Sequence, residues 1–181
     1  MLAVLVADIT NPHNFGLIRG AEAQARAAGR TLVLGDTRGH AELEADHLDR
    51  LGSVVDGIVL AASRLPDADL LELATRRPLV LHNREVDHAD GGLPSVATDF
   101  GDGARQVVEH LAALGHRRIA YLSGPRDAWS EGRRWAGIQE AAAARETTCS
   151  AAIRPDPRRE RGELPLDRRA SARQMSDGRL R

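Results

Sequence analysis

The stretch LAVLVADITNPHNFGLIRG, residues 2–20, decides the fold. It opens with an uninterrupted apolar run, Leu2 to Ala7, which is typical of a strand buried on both faces of a parallel sheet. Asp8 ends this run, and a polar turn follows at residues 10–12. From Asn14 onward, apolar and charged residues separate onto opposite faces with helical spacing. The stretch therefore predicts a buried strand, a polar loop and an amphipathic helix.

The loop of this unit is the first candidate for a ligand-contacting surface. Open α/β sheets bind ligands where such loops leave the carboxyl ends of the strands. The candidate surface is the loop from Asp8 to Phe15. Taken alone, the stretch favours an ordinary strand-to-helix turn, with the ligand-contacting surface as the alternative.

The same alternation continues along the chain and predicts an α/β fold. Further apolar runs, read as strands, lie at residues 31–36, 57–62, 78–82, 94–98 and 118–123. Helical patterns separate them, so we expect a doubly wound parallel sheet with helices on both faces. The clearest helix begins at Phe100, and its Val108, Leu111 and Leu114 are predicted to be buried against this sheet.

The composition changes after Ala144. Residues 145–181 contain many charges, few apolar residues and no aromatic residue, so we expect a disordered tail. Nucleic-acid binding is the alternative, because this segment is rich in arginine. Its interspersed acids and its lack of stacking aromatic side chains favour solvated disorder.

Several classes of enzyme are disfavoured by what the sequence lacks. It has no lysine, hence no Schiff-base or phosphate-loop lysine, and neither a G-x-S-x-G nor a G-x-G-x-x-G motif. Its seven histidines form no compact ligand pair. We therefore expect neither an enzyme nor a protein with a metal or cofactor.

The sequence also bears on the compartment. Cys149 is the one cysteine, so no internal disulfide can form, which suits a reducing environment. The apolar run after Met1 has no basic residue before it, and no run is long enough to cross a membrane. We expect a cytoplasmic protein without a membrane partner.

Polar residues at predicted strand ends and on the last helix are candidates for ligand contact. Asp8, Asp36 and Asp99 follow strands, where carboxylates suit acid/base chemistry, hydrogen bonds to a polyhydroxylated ligand, or simple turn formation. Arg134 could offer a planar fork to paired hydroxyls or a carboxylate, or lie in solvent. Trp129 could stack on a sugar ring or pack in the core.

Together, these pieces resemble the effector-binding domain of the lactose-repressor (LacI/GalR) family. The resemblance is carried by VLVADITNPHNFGLIRGAEAQARAAGRTLVLGDT, VDGIVLAAS, PLVLHNR, GARQVVEHLAALGHRRIAYLSGP and RRWAGIQEA, in the family's order. It covers Leu2 to Ala144 and is most specific from Glu109 to Pro125. It implies the fold of type I periplasmic binding proteins, in which two α/β lobes enclose a sugar or nucleoside.

The resemblance also implies a domain organisation and a set of ligand-binding residues. The first lobe would span residues 1–115 and the start of a second, incomplete lobe residues 116–144, leaving a single second-lobe strand that is unpaired. The cleft residues would be His13, Asn14, Ser63, Arg84, Asp99 and Arg134, with Phe15 and Trp129 as aromatic contacts. Asn83 stands where the family commonly has Asp, and Phe100 where it commonly has a polar residue.

The function implied is that of a small-molecule sensor in a transcriptional regulator. Family members form homodimers and read operator DNA through a separate N-terminal headpiece, which this chain lacks, so we expect no specific DNA binding by the chain itself. A sugar-binding protein of a transport system is the alternative, and the absence of a visible signal peptide argues against it. An α/β enzyme is a third alternative, disfavoured by the missing motifs.

Overall fold

A computed structural model describes residues 1–51, 54–87 and 91–153. The strands are β1 (Leu2–Val6), β2 (Leu32–Asp36), β3 (Gly57–Ala61), β4 (Leu79–His82), β5 (Ser95–Val96), β6 (Arg118–Ser123) and β7 (Thr148–Ile153). The helices are α1 (His13–Ala27), α2 (Ala41–Leu51), α3 (Asp67–Arg76), α4 (Phe100–Ala113) and α5 (Trp129–Ala144). Among these residues, none of the helices combines the length and apolar character needed to cross a bilayer.

The first five strands form one parallel sheet in the order β2-β1-β3-β4-β5. The order reverses beside β1, which pairs with β2 on one side and β3 on the other, so the crossovers lie on both faces. The predicted doubly wound sheet is confirmed. All of its strands end at the same edge, which is where this topology positions ligands.

Each face of this first sheet has its own apolar cluster. On one face, Leu5, Leu60 and Leu81 are at most 1% exposed and pack with the residues of α2 and α3. On the other face, Val4 and Val6 pack against the apolar side of α1. This alternation explains why β1 is apolar at every position, since both of its faces are covered by helices.

The remaining elements form a second unit. Strands β6 and β7 pair in parallel as a two-stranded second sheet, and α4 packs on α5. Val108 of α4 lies in one cluster with Ile138 and Ala141 of α5, and Ile119 and Tyr121 of β6 pack against that cluster. The packing of α4 therefore joins it to the second sheet.

This packing corrects the prediction that Val108, Leu111 and Leu114 lie against the first sheet. Val108 is buried, but it contacts the second unit, whereas Leu114 is 64% exposed. The prediction was wrong because the apolar pattern of a helix indicates which of its sides is covered but not which sheet covers that side.

The predictions for residues 145–181 and for an unpaired strand in the second lobe also change. Residues 148–153 form β7, which pairs with β6 from Arg118–Thr148 to Ser123–Ile153. The single-strand sheet is therefore wrong, and order extends nine residues beyond Ala144. The rest of the predicted tail, residues 154–181, lies outside the described residues.

Candidate functional site

Three residues at the carboxyl edge of the first sheet have left-handed backbone conformations although they are not glycines. Arg38 follows β2, Ala62 follows β3 and Asn83 follows β4, with φ values of 52°, 54° and 53°. Side chains with a Cβ rarely adopt this conformation, and it persists where the surrounding contacts impose it. The loops at this edge are therefore held in defined shapes.

In the loop between β1 and α1, hydrogen bonds within the loop fix its shape. Asp8 Oδ1 accepts from the backbone N–H and the hydroxyl of Thr10, at 2.9 Å and 2.6 Å. Asn14 is buried, and its Nδ2 donates to the carbonyl oxygen of Asp8 at 2.7 Å. The amide of Asn14 thus stabilises the loop, whereas His13 and Phe15 are exposed at its end.

His13 is connected to the neighbouring strand end through Asn83. The Nδ2 of Asn83 donates to Nε2 of His13 at 3.4 Å, and its Oδ1 accepts from the backbone N–H of Thr98 at 3.0 Å. The pKa of His82, the residue before Asn83, is lowered mainly by burial and further by the nearby charge of His13. Asn83 therefore links α1 to the segment that leads into α4.

Ser63 and Arg84 meet around a buried acid that the sequence did not mark as a site residue, Glu44. The carboxylate of Glu44 accepts from the backbone N–H of Arg64 at 2.9 Å, next to Ser63 in the same loop. Arg84 pairs with Asp67 and donates to the carbonyl oxygen of Leu65 at 3.4 Å. Burial raises the pKa of Glu44, and its hydrogen bonds and the two arginine charges oppose this.

Asp99, Trp129 and Arg134 come together around Phe100. Asp99 caps α4 by accepting from the N–H of Asp102 at 2.8 Å. The guanidinium carbon of Arg134 lies 4.4 Å from the centre of the Phe100 ring, and the Trp129 ring meets Phe100 edge-on at 6.3 Å. These residues form a platform with an aromatic face, a cation and a carboxylate, which we call the Phe100 platform.

The Phe100 platform depends on a close approach of α4 and α5 at two glycines. A Cβ placed on Gly137 would lie 2.2 Å from the carbonyl oxygen of Gly101, so only glycine is accommodated there. Phe100 precedes Gly101, and Arg134 lies three residues before Gly137 on the same side of α5. The Arg-x-x-Gly spacing therefore brings the guanidinium onto the ring.

A pocket of about 390 Å³ lies beside the platform, at the end of β6 and the start of α5. It is lined by Ser123, Arg126, Glu131, Gly132, Trp135 and Ala151. Glu131 is 7% exposed, and its Oε2 is 3.7 Å from Nη1 of Arg134. Burial, followed by the hydrogen bond to Glu131 and its charge, raises the pKa of Tyr121 to about 12.

The structure thus divides the predicted site residues into groups. Asp99, Trp129 and Arg134 belong to the Phe100 platform, while His13 lies with Asn83 and Ser63 with Glu44 and Arg84. Phe15 is half exposed and lies apart from these groups, beside a shallow depression formed with Ile9, Ile18 and Arg19. Within the described residues, no group of three His, Cys, Asp or Glu side chains could hold a metal ion.

Sequence reasoning missed Phe100, Asn83, Glu44 and Glu131 as site residues. Asn83 carried a usable signal, because asparagine after a strand tolerates the left-handed conformation that a sharp loop needs. Glu44 and Glu131 sit in helices where a surface carboxylate is the ordinary expectation. Their burial depends on partners far away in sequence, which no local pattern reveals.

Comparison with known proteins identifies the family. Residues 1–149 match the family described as periplasmic binding proteins and sugar binding domain of the LacI family. The chain belongs to this family. The predicted resemblance is therefore confirmed over most of the chain.

Two relatives and one solved structure illustrate the likeness. The regulator PtxS of Pseudomonas putida is 34% identical over 131 residues, 72% of this chain and 38% of its own length. The ribose operon repressor of Halalkalibacterium halodurans is 34% identical over 141 residues, 77% of this chain and 41% of its own. The chain therefore spans about two fifths of these curated relatives.

The fold of this LacI-family chain is also found in a crystal structure of the Cra transcriptional dual regulator of Pseudomonas putida, in complex with fructose 1-phosphate. The TM-score is 0.75 at 23% identity, over 84% of this chain and 57% of that chain. The relatives PtxS and the ribose operon repressor are named as regulators of transcription, in agreement with the prediction that the chain is no enzyme.

Proposed function

We propose that this chain is the effector-sensing part of a LacI-family transcriptional regulator and takes a sugar-type molecule between two lobes. The first lobe comprises the first sheet with α1 to α3, and the second comprises α4 to β7. The chain passes from one to the other at residues 97–99. This division follows the packing of α4 and moves the expected boundary from Gly115 to the end of β5.

The Phe100 platform carries the proposal. A sugar offers C–H groups on its ring faces and hydroxyls at its rim, so an aromatic face beside a guanidinium and a carboxylate matches both. Arg134 is 38% exposed while it lies over Phe100, so its remaining N–H groups are accessible to a ligand. The opposing wall is proposed at the strand ends of the first lobe, where His13 is exposed while Ser63 and most of Arg84 are buried.

For the whole protein, membership of the family leads us to three further proposals. It forms a homodimer, it reads operator DNA through a separate part, and it acts in the cytoplasm. The described helices of this chain cover its two sheets or pack on each other. We therefore expect the chain itself to give no sequence-selective shift of DNA in a gel, since specific reading needs an element inserted in a groove.

Transport-system binding proteins are the alternative within the same family. The regulator is favoured because the matched relatives PtxS and the ribose operon repressor are both named as regulators of transcription. Translation of the DNA before the Met1 codon separates the two, because a helix-turn-helix there supports the regulator and a secretory leader the transport protein.

Calorimetric titration of the chain tests the proposed ligand class. The probes are D-ribose as a pentose, D-fructose 1-phosphate as a sugar phosphate and adenosine as a nucleoside. We expect weak, saturable binding of one class, because the described part of the second lobe is α4 to β7, a two-stranded sheet with two helices. Absence of binding by all three at millimolar concentration would contradict the proposal.

A further inference from the structure

The loop after β3 is hydrogen-bonded to Glu44, which is 2% exposed. Its Oε2 accepts from the N–H of Arg64 at 2.9 Å, and Oγ of the neighbouring Ser63 accepts from the N–H of Leu65 at 3.2 Å. The preceding Ala62 has the left-handed φ of 54°, which needs such support. Glu44 therefore sets the direction in which Arg64 leaves the loop.

Arg64 extends from this loop to the second lobe. Its Nη1 donates to Oδ1 of Asp127 at 3.3 Å, and Asp127 lies between β6 and α5. The Arg64 side chain is 12% exposed, whereas that of Asp127 is 68% exposed. The ion pair thus joins the carboxyl edges of the two sheets, from a fixed cation on one lobe to a solvated carboxylate on the other.

We propose that the Arg64–Asp127 ion pair is a clasp that favours the closed arrangement of the two lobes, and that Glu44 is a positioning residue for it. This inference rests on the proposed function in one respect, namely that the two lobes move about a shared cleft. An ion pair with one exposed partner changes an equilibrium by about twofold to fivefold. That is enough to matter where open and closed forms differ little in free energy.

The distance between the lobes tests the clasp directly and needs no effector. Spin labels are placed at Ala23→Cys on α1 and Glu140→Cys on α5, both exposed positions, in a Cys149→Ser background. Pulsed electron–electron double resonance then gives the distribution of distances between the two spin labels. We expect Arg64→Gln and Asp127→Asn each to raise the longer-distance population by about twofold to fivefold. The double variant should match the single ones, because both remove the same pair.

Glu44 is tested by a conservative rescue. Glu44→Ala should raise the longer-distance population as Arg64→Gln does, whereas Glu44→Gln retains an acceptor for the Arg64 N–H and should restore the shorter distance. If Glu44→Ala does not fold, Glu44→Gln is compared with Arg64→Gln instead. A longer-distance population in Glu44→Gln as large as that in Arg64→Gln would contradict the positioning role.

Two controls complete the experiment. Glu72→Gln removes an ion pair with Arg76 inside α3 and should leave the distances unchanged. In the chain that retains Arg64 and Asp127, a higher salt concentration should raise the longer-distance population as Arg64→Gln does, because salt screens exposed charges. Unchanged distances in Arg64→Gln, Asp127→Asn and their double variant would overturn the clasp. Sugar binding that persists alongside that result would leave the proposed function standing.

Discussion

The guanidinium carbon of Arg134 lies 4.4 Å from the centre of the Phe100 ring, a contact between the first residue of α4 and the middle of α5. The two helices approach closely enough for this contact because Gly137 faces the backbone of Gly101. The sequence spacing of Arg134 and Gly137 thus has a physical meaning. One residue provides the cation, and the other allows the helix that carries it to come close.

Adding a methyl group at this crossing should destabilise the protein. In Gly137→Ala the new Cβ meets the Gly101 carbonyl oxygen, so α4 and α5 must separate. We expect a loss of about 1–3 kcal/mol in the free energy of unfolding, as for other overpacked sites, measured by urea titration.

Gly132→Ala is the matched control, because Gly132 lies in the same helix and an added methyl group there would meet open space. Alanine is the better helix former, so this variant should be unchanged or gain up to about 1 kcal/mol. Equal losses in both variants would show that the close approach of the helices is not the cause.

The burial of α4 gives a second prediction. Val108 is 2% exposed within the second unit, and Val108→Ala should cost about 2 kcal/mol of unfolding free energy through lost apolar burial and a small cavity. Leu114 is 64% exposed, so Leu114→Ala should change it by less than about 0.5 kcal/mol. A larger loss for Leu114→Ala than for Val108→Ala would contradict the burial of α4 described above.

Tyr121 gives a pH prediction that can be read in isolation, because it is the one tyrosine of the chain. Burial and Glu131 raise its pKa to about 12 from 10.0, so the folded state retains the phenol proton more tightly than the unfolded chain. The resulting stabilisation is complete below pH 10 and declines as the pH rises towards about 12.

Ultraviolet titration of tyrosinate measures this pKa. We expect a midpoint near 12 in the folded chain, and a lower midpoint in Glu131→Gln, which removes the carboxylate charge that favours the neutral phenol. Glu140→Gln, on the exposed side of the same helix, is the control and should leave the midpoint in place. A midpoint near 10 in the unmodified chain would contradict both the burial of Tyr121 and its interaction with Glu131.

The doubly wound parallel sheet and its covered faces could be predicted because strands β1 to β4 are short apolar runs followed by polar turns. Strand β7, with the sequence TCSAAI, lacks that signal, since its residues are small and the surrounding composition is polar. It is ordered through pairing with β6, a contact between segments about thirty residues apart. Pairing between such distant segments cannot be predicted from local composition.

The candidate site shows the same division. A strand end and a helical motif mark Asp99 and Arg134 in the sequence, and their contact with a ligand stays a prediction. Glu44, Arg64 and Asp127 could not, because each acts through a partner from a distant part of the chain. Asn14 was marked by its position in the loop, but its amide is engaged by the carbonyl oxygen of Asp8. A motif gives the position of a side chain along the loop, not its hydrogen-bond partner.

The most direct test of the proposed sugar cleft is a map of backbone amide shifts in the nuclear magnetic resonance spectrum of the chain, titrated with whichever of the three calorimetric probes binds. We predict saturable shifts at the strand-end loops, residues 8–15, 62–65 and 82–84, together with residues 99–100 and 129–134. These shifts should be lost in Arg134→Ala but retained in Arg118→Ala, an exposed arginine on β6. Shifts confined to other surfaces, or equal in both variants, would contradict a cleft built on the Phe100 platform.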